Sequence, residues 1–290
     1  MKGGDCNMPL DLTIAIPVRN EEKNLSGCLT AIGNNLAKEV VVIDSGSVDR
    51  TKEIALQHGA RVISFFWNGK FPKKRNWYLR NHTPKTKWVL FLDADEYLTD
   101  EFKLALCKEL NTPEVDKVGY WLNYTIYFLG KRLRGGYPLD KLALFQVKKG
   151  EYEKIEEDQW SNFDMEIHEH PVLEGEIGTI KAKIEHQDFR GMFHYLTKHN
   201  EYSSWEALRF LQKSHDSKIF SQWTWKQKIK YRLASNPWIG PIFFIGSFFF
   251  MGGFRDGSRG FIFAILKMAY FTEVYCKIQE LEHNYKLRKK

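Results

Sequence analysis

Over the first 130 residues, short apolar runs alternate with amphipathic stripes. Leu12 to Ile16 is apolar, closed by Pro17 and followed by the polar turn Val18-Arg19-Asn20-Glu21. Leu25, Cys28, Leu29 and Ile32 then fall at i, i+3, i+4 and i+7, the stripe of a helix laid on a sheet. Val40 to Ile43 predicts a second strand, ending at Asp44-Ser45-Gly46-Ser47. Asp49 predicts the start of a helix to about His58, with Gly59 at its end and Val62 to Ser64 as a third strand. Strands separated by helices need crossovers, which impose a largely parallel sheet and gather ligands at the strands' carboxyl ends.

The densest signal is Lys87 to Leu98, KWVLFLDADEYL. Trp88 to Leu92 reads as a strand buried on both faces, and it runs straight into Asp93-Ala94-Asp95-Glu96. Two carboxylates two residues apart point the same way, where they suit a hard divalent cation with a ribose or diphosphate. The plain alternative is a solvated acidic loop capping the next helix through Thr99 or Asp100. Asp44 and Asp93 both sit at carboxyl ends of predicted strands. Between them, Lys73, Lys74 and Arg75 open a short helix, where side-chain charge and free backbone N–H groups suit a diphosphate.

Phe102 to Leu110 predicts an amphipathic helix and Val118 to Phe128 a long strand. Residues 129–190 lack a crossover helix and predict an antiparallel, loop-rich half, with strands near Leu142 to Val147 and Ile177 to Ile184. Within it lies Ile167-His168-Glu169-His170. A strand puts His168 and His170 on one face and Glu169 on the other, while a loop presents any of them. A helical zinc motif needs its His pair at i and i+4, so this spacing argues against zinc.

Composition changes this picture in three ways. With 290 residues, 43% hydrophobic and 15% aromatic, the chain can bury a full core, which excludes a disordered protein. The net charge of +7 is uneven: residues 1–190 carry 27 Lys+Arg against 29 Asp+Glu, and residues 191–290 carry 16 against 7. A near-neutral body with a basic, aromatic tail points to an anionic surface. The four cysteines are widely separated, which predicts neither a zinc knuckle nor a disulfide framework and fits a reducing cytosol. The N-terminus shows no apolar signal region, so no secretion signal is expected.

Together these pieces resemble the family-2 glycosyltransferases of the GT-A fold. Ile16 to Glu21 is similar to the family's opening strand and turn, Val42 to Thr51 to its second nucleotide-binding motif, and Leu92 to Glu96 to its D-x-D. Arg75-Asn76-Trp77, the segment RGGYPLDKLALF from Arg134, and His168-Glu169 resemble the lipopolysaccharide-core β-glucosyltransferase subgroup, with Ala143 departing where that subgroup has Arg. The resemblance covers about residues 10–210. It implies an α/β fold with a Rossmann-like, mostly parallel sheet and a smaller antiparallel acceptor half. The donor is a nucleotide-diphosphate sugar, a UDP-sugar first, and the acceptor a lipopolysaccharide-core or other lipid-linked glycan.

The resemblance also implies roles. Pro17, Arg19, Asn20, Glu21, Asp44, Ser45, Gly46, Lys73, Arg75, Asn76, Asp93 and Ala94 would bind the donor, with Asp44 on nucleobase or ribose. Asp95 and His186 would hold a Mg²⁺ or Mn²⁺ ion. A sugar hydroxyl titrates far above neutral, so inversion needs a carboxylate to take its proton. Glu169 is assigned that role, with Asp164 and Glu166 in reserve.

The expected division is a glycosyltransferase domain at 1–221, with a donor half to about 128 and an acceptor half beyond it, and a membrane-associating tail at 222–290. From Trp223 the tail mixes Trp with Lys and Arg, and Pro237 to Phe254 runs without a charge but is broken by Gly and Pro. Interfacial or re-entrant segments at the cytoplasmic face of the inner membrane are expected, ahead of a true span or a soluble cap. Nucleic acid is not expected, because the aromatics are interleaved with aliphatics. Two other functions stay open: transfer to a polyprenyl phosphate, which needs no strong base, and a non-catalytic nucleotide-sugar-binding scaffold.

Overall fold

A computed structural model describes residues 8–112, 116–136, 138–154, 171–215 and 233–288. Contacts divide the described chain into two units. The first comprises residues up to 130, from 139 to 154, and from 171 to 190; the second comprises 131–136, 138 and everything from 191 on. The expected boundary at 221 falls outside the described residues.

The first unit is α/β. Strands β1 (Leu10–Val18), β2 (Ala37–Asp44), β3 (Arg61–Ser64) and β4 (Trp88–Phe91) alternate with helices α1 (Leu25–Ile32), α2 (Thr51–Gln57) and α3 (Lys74–Asn81). These four strands pair parallel in the order β3-β2-β1-β4, as the crossovers require. β4 shows why its sequence is apolar without interruption. Leu90, with Leu92 beyond it, packs with Leu25, Cys28, Leu29 and Phe102 on one side, while Val89 and Phe91 pack with Tyr78, Leu79 and Phe145 on the other. Alternate residues face opposite sides, and a strand covered on both sides leaves no place for a polar one. All four residues predicted for the α1 stripe are buried.

After β5 (Glu96–Tyr97), α4 (Asp100–Asn111) is capped by Thr99, whose Oγ1 accepts the Phe102 N–H at 3.1 Å. β6 (Lys117–Phe128), followed in the chain by the two-residue β7 (Lys131–Arg132), does not lie beside β4. β8 (Asp140–Gln146) sits between them, antiparallel to both. β11 (Glu176–His186) lies outside β6 and runs parallel to it but antiparallel to β5, so the expected antiparallel half holds one parallel pairing among antiparallel ones: β8 and the separate pair of β9 (Gly150–Tyr152) and β10 (Pro171–Leu173) are antiparallel. Cys107 is disulfide-bonded, which the cysteine spacing gave no reason to expect, while Cys28 and Cys276 are free.

The second unit is helical. α5 (Met192–His215), α6 (Ile239–Ile245) and α7 (Gly257–Arg288) pack around Ala207, Phe210, Ile239, Val274 and Ile278. α6 runs on through a wider turn at Gly246–Phe250, and the chain reverses before α7 with Gly252 left-handed at φ 75°. Among the described residues no helix is long and apolar enough to cross a membrane.

Candidate active site

β1 and β2 end side by side, with Val18 paired to Asp44. Backbone donors stitch the two following loops together. Asn20 N–H reaches Ser47 Oγ at 2.9 Å, Val48 N–H reaches Asn20 Oδ1 at 2.9 Å, and Glu21 N–H reaches Thr51 Oγ1 at 2.8 Å. Asn20 sits at φ 56°, a left-handed conformation that Asn tolerates better than most residues. Asp44 is fully buried, and its carboxylate accepts from the N–H groups of Gly46 and Ser47, both at 3.1 Å, with Lys52 Nζ at 3.2 Å. Asp44 therefore shapes its own turn, with Gly46 left-handed at φ 74° to allow it. Ser45 Oγ is buried without a hydrogen-bond partner, Pro17 pairs with Ile43 inside the sheet, and Arg19 is exposed.

α3 brings its residues to the same region in different ways. The Asn76 amide is committed to backbone, donating to Tyr152 O at 2.8 Å and accepting Tyr152 N–H at 2.9 Å. Lys73 and Lys74 are buried, not a solvated turn, and Lys73 Nζ lies 5.8 Å from the Trp67 ring centroid. Arg75 Nη2 donates to Asp93 Oδ1 at 3.3 Å.

The two aspartates following β4 differ sharply in surroundings, with Ala94 buried between them. Asp93 is held by two cations, Arg75 and Lys141, whose Nζ lies 2.6 Å from Oδ2. Asp95 is almost wholly buried and meets its partners at longer range, Arg190 Nη2 at 3.4 Å from Oδ2 and His186 Nε2 at 3.6 Å from Oδ1. Asp95 thus keeps the more available charge. Behind them Glu96 takes Lys141 Nζ at 2.5 Å and Tyr124 OH at 3.4 Å, and accepts the Asp93 N–H at 3.1 Å. Burial pushes the Glu96 carboxyl up to about 7, against the pull of Lys141. Burial opposes the Lys141 charge too, but Asp93 and Glu96 outweigh it and hold its pKa well above the usual value.

On the other side Arg190 pairs with Glu21 and with Asp188 at 2.6 Å. Asn24 joins that group, donating to Glu21 Oε2 at 3.0 Å and to Asp188 Oδ1 at 3.1 Å. Burial alone would raise the Asp188 pKa, but Arg190 holds it well below the carboxylate range.

The cluster gathers five carboxylates, Glu21, Asp93, Asp95, Glu96 and Asp188, around three cations, Arg75, Lys141 and Arg190. Among the described residues no group of three His, Cys, Asp or Glu side chains forms a ready metal cage. A Mg²⁺ ion needs none, since it takes one or two protein ligands and leaves its other positions to phosphate oxygens and water. The Asp95 carboxylate fits that donor set; the His186 imidazole, which the fold brings to 3.6 Å from it, is a nitrogen donor outside it.

Sequence reasoning did not single out Lys141 or Arg190. Lys141 left a faint signal, a lone cation in an apolar strand whose alternation puts it on the same side as the buried Ala143. Arg190 left none. Glu169, with Asp164, Glu166 and His168, lies outside the described residues.

The model of the family described as glycosyl transferase family 2 matches residues 13–159. The chain is 27% identical to the lipopolysaccharide core biosynthesis glycosyltransferase LpsC of Rhizobium meliloti over 283 residues, 93% of each chain. A TPR repeat-containing protein of Synechococcus elongatus is 35% identical over 103 residues, 36% of this chain but only 25% of that protein. Among solved structures, glucosyl-3-phosphoglycerate synthase of Mycobacterium tuberculosis, in complex with Mn²⁺, UDP and glucosyl-3-phosphoglycerate, overlaps 42% of this chain and 45% of its own at 21% identity and a TM-score of 0.30.

Proposed function

The chain belongs to glycosyl transferase family 2, and from that premise we propose that it moves a sugar, with inversion, from a nucleotide-diphosphate donor to a lipopolysaccharide-core or other lipid-linked glycan acceptor. The observation that carries the donor half of this reading is the buried Asp95 carboxylate just beyond β4, with His186 Nε2 3.6 Å from Oδ1 and Arg190 Nη2 3.4 Å from Oδ2. A diphosphate brings further negative charge, so it enters such a site only with a cation. Mg²⁺ or Mn²⁺ held by Asp95, beside His186, supplies that, and when bound it offsets the charge growing on the departing nucleoside diphosphate. Likeness to LpsC along nearly its whole length supports the acceptor class. A UDP-sugar is the first donor to try.

The chain's own groups do the remaining work. Arg75 and Lys141 fix the Asp93 carboxylate, leaving it placed to accept from a ribose hydroxyl. Arg190 offers a guanidinium beside Asp95 that suits phosphate oxygens. Glu169 takes the proton from the acceptor hydroxyl. Residues 1–221 are assigned the transferase and 222–290 the attachment to an anionic membrane, at the cytoplasmic face of the inner membrane.

Thermal shift and donor hydrolysis on the full-length protein test the reading, with nucleotide sugars screened in Mn²⁺ and in chelator. Stabilisation by a UDP-sugar that depends on the ion is expected. A shift unchanged by chelator overturns the cation assignment. Full activity in Glu169→Gln moves the acceptor to a polyprenyl phosphate, which is already ionised.

A further inference from the structure

In the helical unit, the turn between α6 and α7 is built from backbone. A Cβ on Gly135 would lie 2.1 Å from Gly252 O, and one on Gly260 would lie 1.9 Å from Gly253 O. Asp256 closes the turn, accepting the N–H groups of Arg134 and Gly135, each at 2.9 Å. Met251 O takes the Gly136 N–H at 2.9 Å. The short turn at 134–136 is thus part of one rigid piece with the reversal at 251–257.

That rigid tip turns Phe249, Phe250, Met251 and Phe254 outward, Phe250 with 85% of its surface exposed, and Ile245 and Phe261 extend the exposed apolar surface behind them. Large apolar side chains left exposed this close together along the chain mark an interaction site. Charge identifies the partner: residues 191–290 carry 16 Lys+Arg against 7 Asp+Glu, and exposed Arg255 adjoins Phe254. Aromatic residues flanked by cations match the headgroup and acyl boundary of an anionic bilayer.

We propose that residues 249–254 are a lipid-inserting tip that enters an anionic bilayer to shallow depth. The tip, in addition to the basic stretch at 222–232, makes the attachment, and Asp256 holds the 134–136 turn at the same level. This inference rests on the membrane reading above and names its contact.

Flotation of the full-length protein tests it, on phosphatidylethanolamine–phosphatidylglycerol vesicles and on phosphatidylcholine vesicles. The triple variant Phe249→Ser, Phe250→Ser, Phe254→Ser should lose about tenfold or more in partitioning to the anionic vesicles. The matching Leu triple should keep it, and donor hydrolysis should be unchanged in both. If the Ser triple floats like the wild type, the tip is not the contact, although the membrane reading stands. If wild type ignores both vesicle types and the Ser triple converts a dimer to a monomer, the tip binds a second copy and both readings fall.

Discussion

Lys141 Nζ lies 2.5 Å from Glu96 Oε1, joining a strand-borne cation to a carboxylate that is almost wholly buried. The same ammonium holds Asp93 at 2.6 Å, so one side chain sets the charge of two acids. Removing a single partner from such a pair leaves an uncompensated charge, which costs more than the pair contributes when intact.

Lys141→Met should therefore destabilise the protein by about 2–4 kcal/mol, while Lys141→Arg loses much less. Urea unfolding measures both. Adding Glu96→Gln to Lys141→Met should recover part of the loss, because the stranded charge is gone. If the double variant is no more stable than the single, the ion pair is not what holds this region.

Asp95→Asn and Asp93→Asn should separate. The first removes the carboxylate with weaker cation partners, and should abolish the Mn²⁺-dependent thermal shift caused by UDP. The second leaves Asp95 and His186 intact, so it should keep the ion dependence while weakening the nucleotide. Equal loss of ion dependence in both would contradict the separate roles.

Acid should weaken the helical unit through His199. The ring stacks on Tyr195 at 3.9 Å between centroids and takes Tyr270 edge-on at 5.6 Å. Burial, then the charge of Lys267, lowers its pKa from 6.5 to about 4. The unfolded chain therefore binds the proton more readily, and the stability this group gives is present above about pH 6.5 and lost as pH falls towards 4. The loss should be about 1–2 kcal/mol, allowing for partial solvent contact. It should be absent from His199→Gln when the two unfolding curves are compared at each pH.

Gly135→Ala tests the backbone contact at the tip. Its methyl would fall on Gly252 O, and displacing that backbone should cost about 1–3 kcal/mol. Gly33→Ala, which meets nothing within 4 Å but sits at φ 77°, gives a comparison in which only backbone conformation is strained. Calorimetry of the two variants separates steric from conformational cost.

Much of the first unit was legible in the chain because its signals are local. A stripe at Leu25, Cys28, Leu29 and Ile32 must lie on something apolar, and Trp88 to Leu92 must be covered on both faces. Strands and helices in alternation then leave parallel pairing as the outcome, with Asp44 and Asp93 at strand ends. What the sequence could not decide was partnership across distance. Lys141 meets Glu96 from 45 residues away, and Arg190 meets Glu21 from 169. A single charged residue has no period, so nothing local marks which acid it will face. The same limit hid the place of β8, which enters the sheet between β4 and β6 because pairing there buries Leu142, Leu144 and Phe145. It hid the use of Asp44 as well, since a carboxylate at a strand end reads alike whether it faces a ligand or closes its own turn. Pattern determined the elements and the acids at their ends, and only packing in three dimensions decided which charges those acids share.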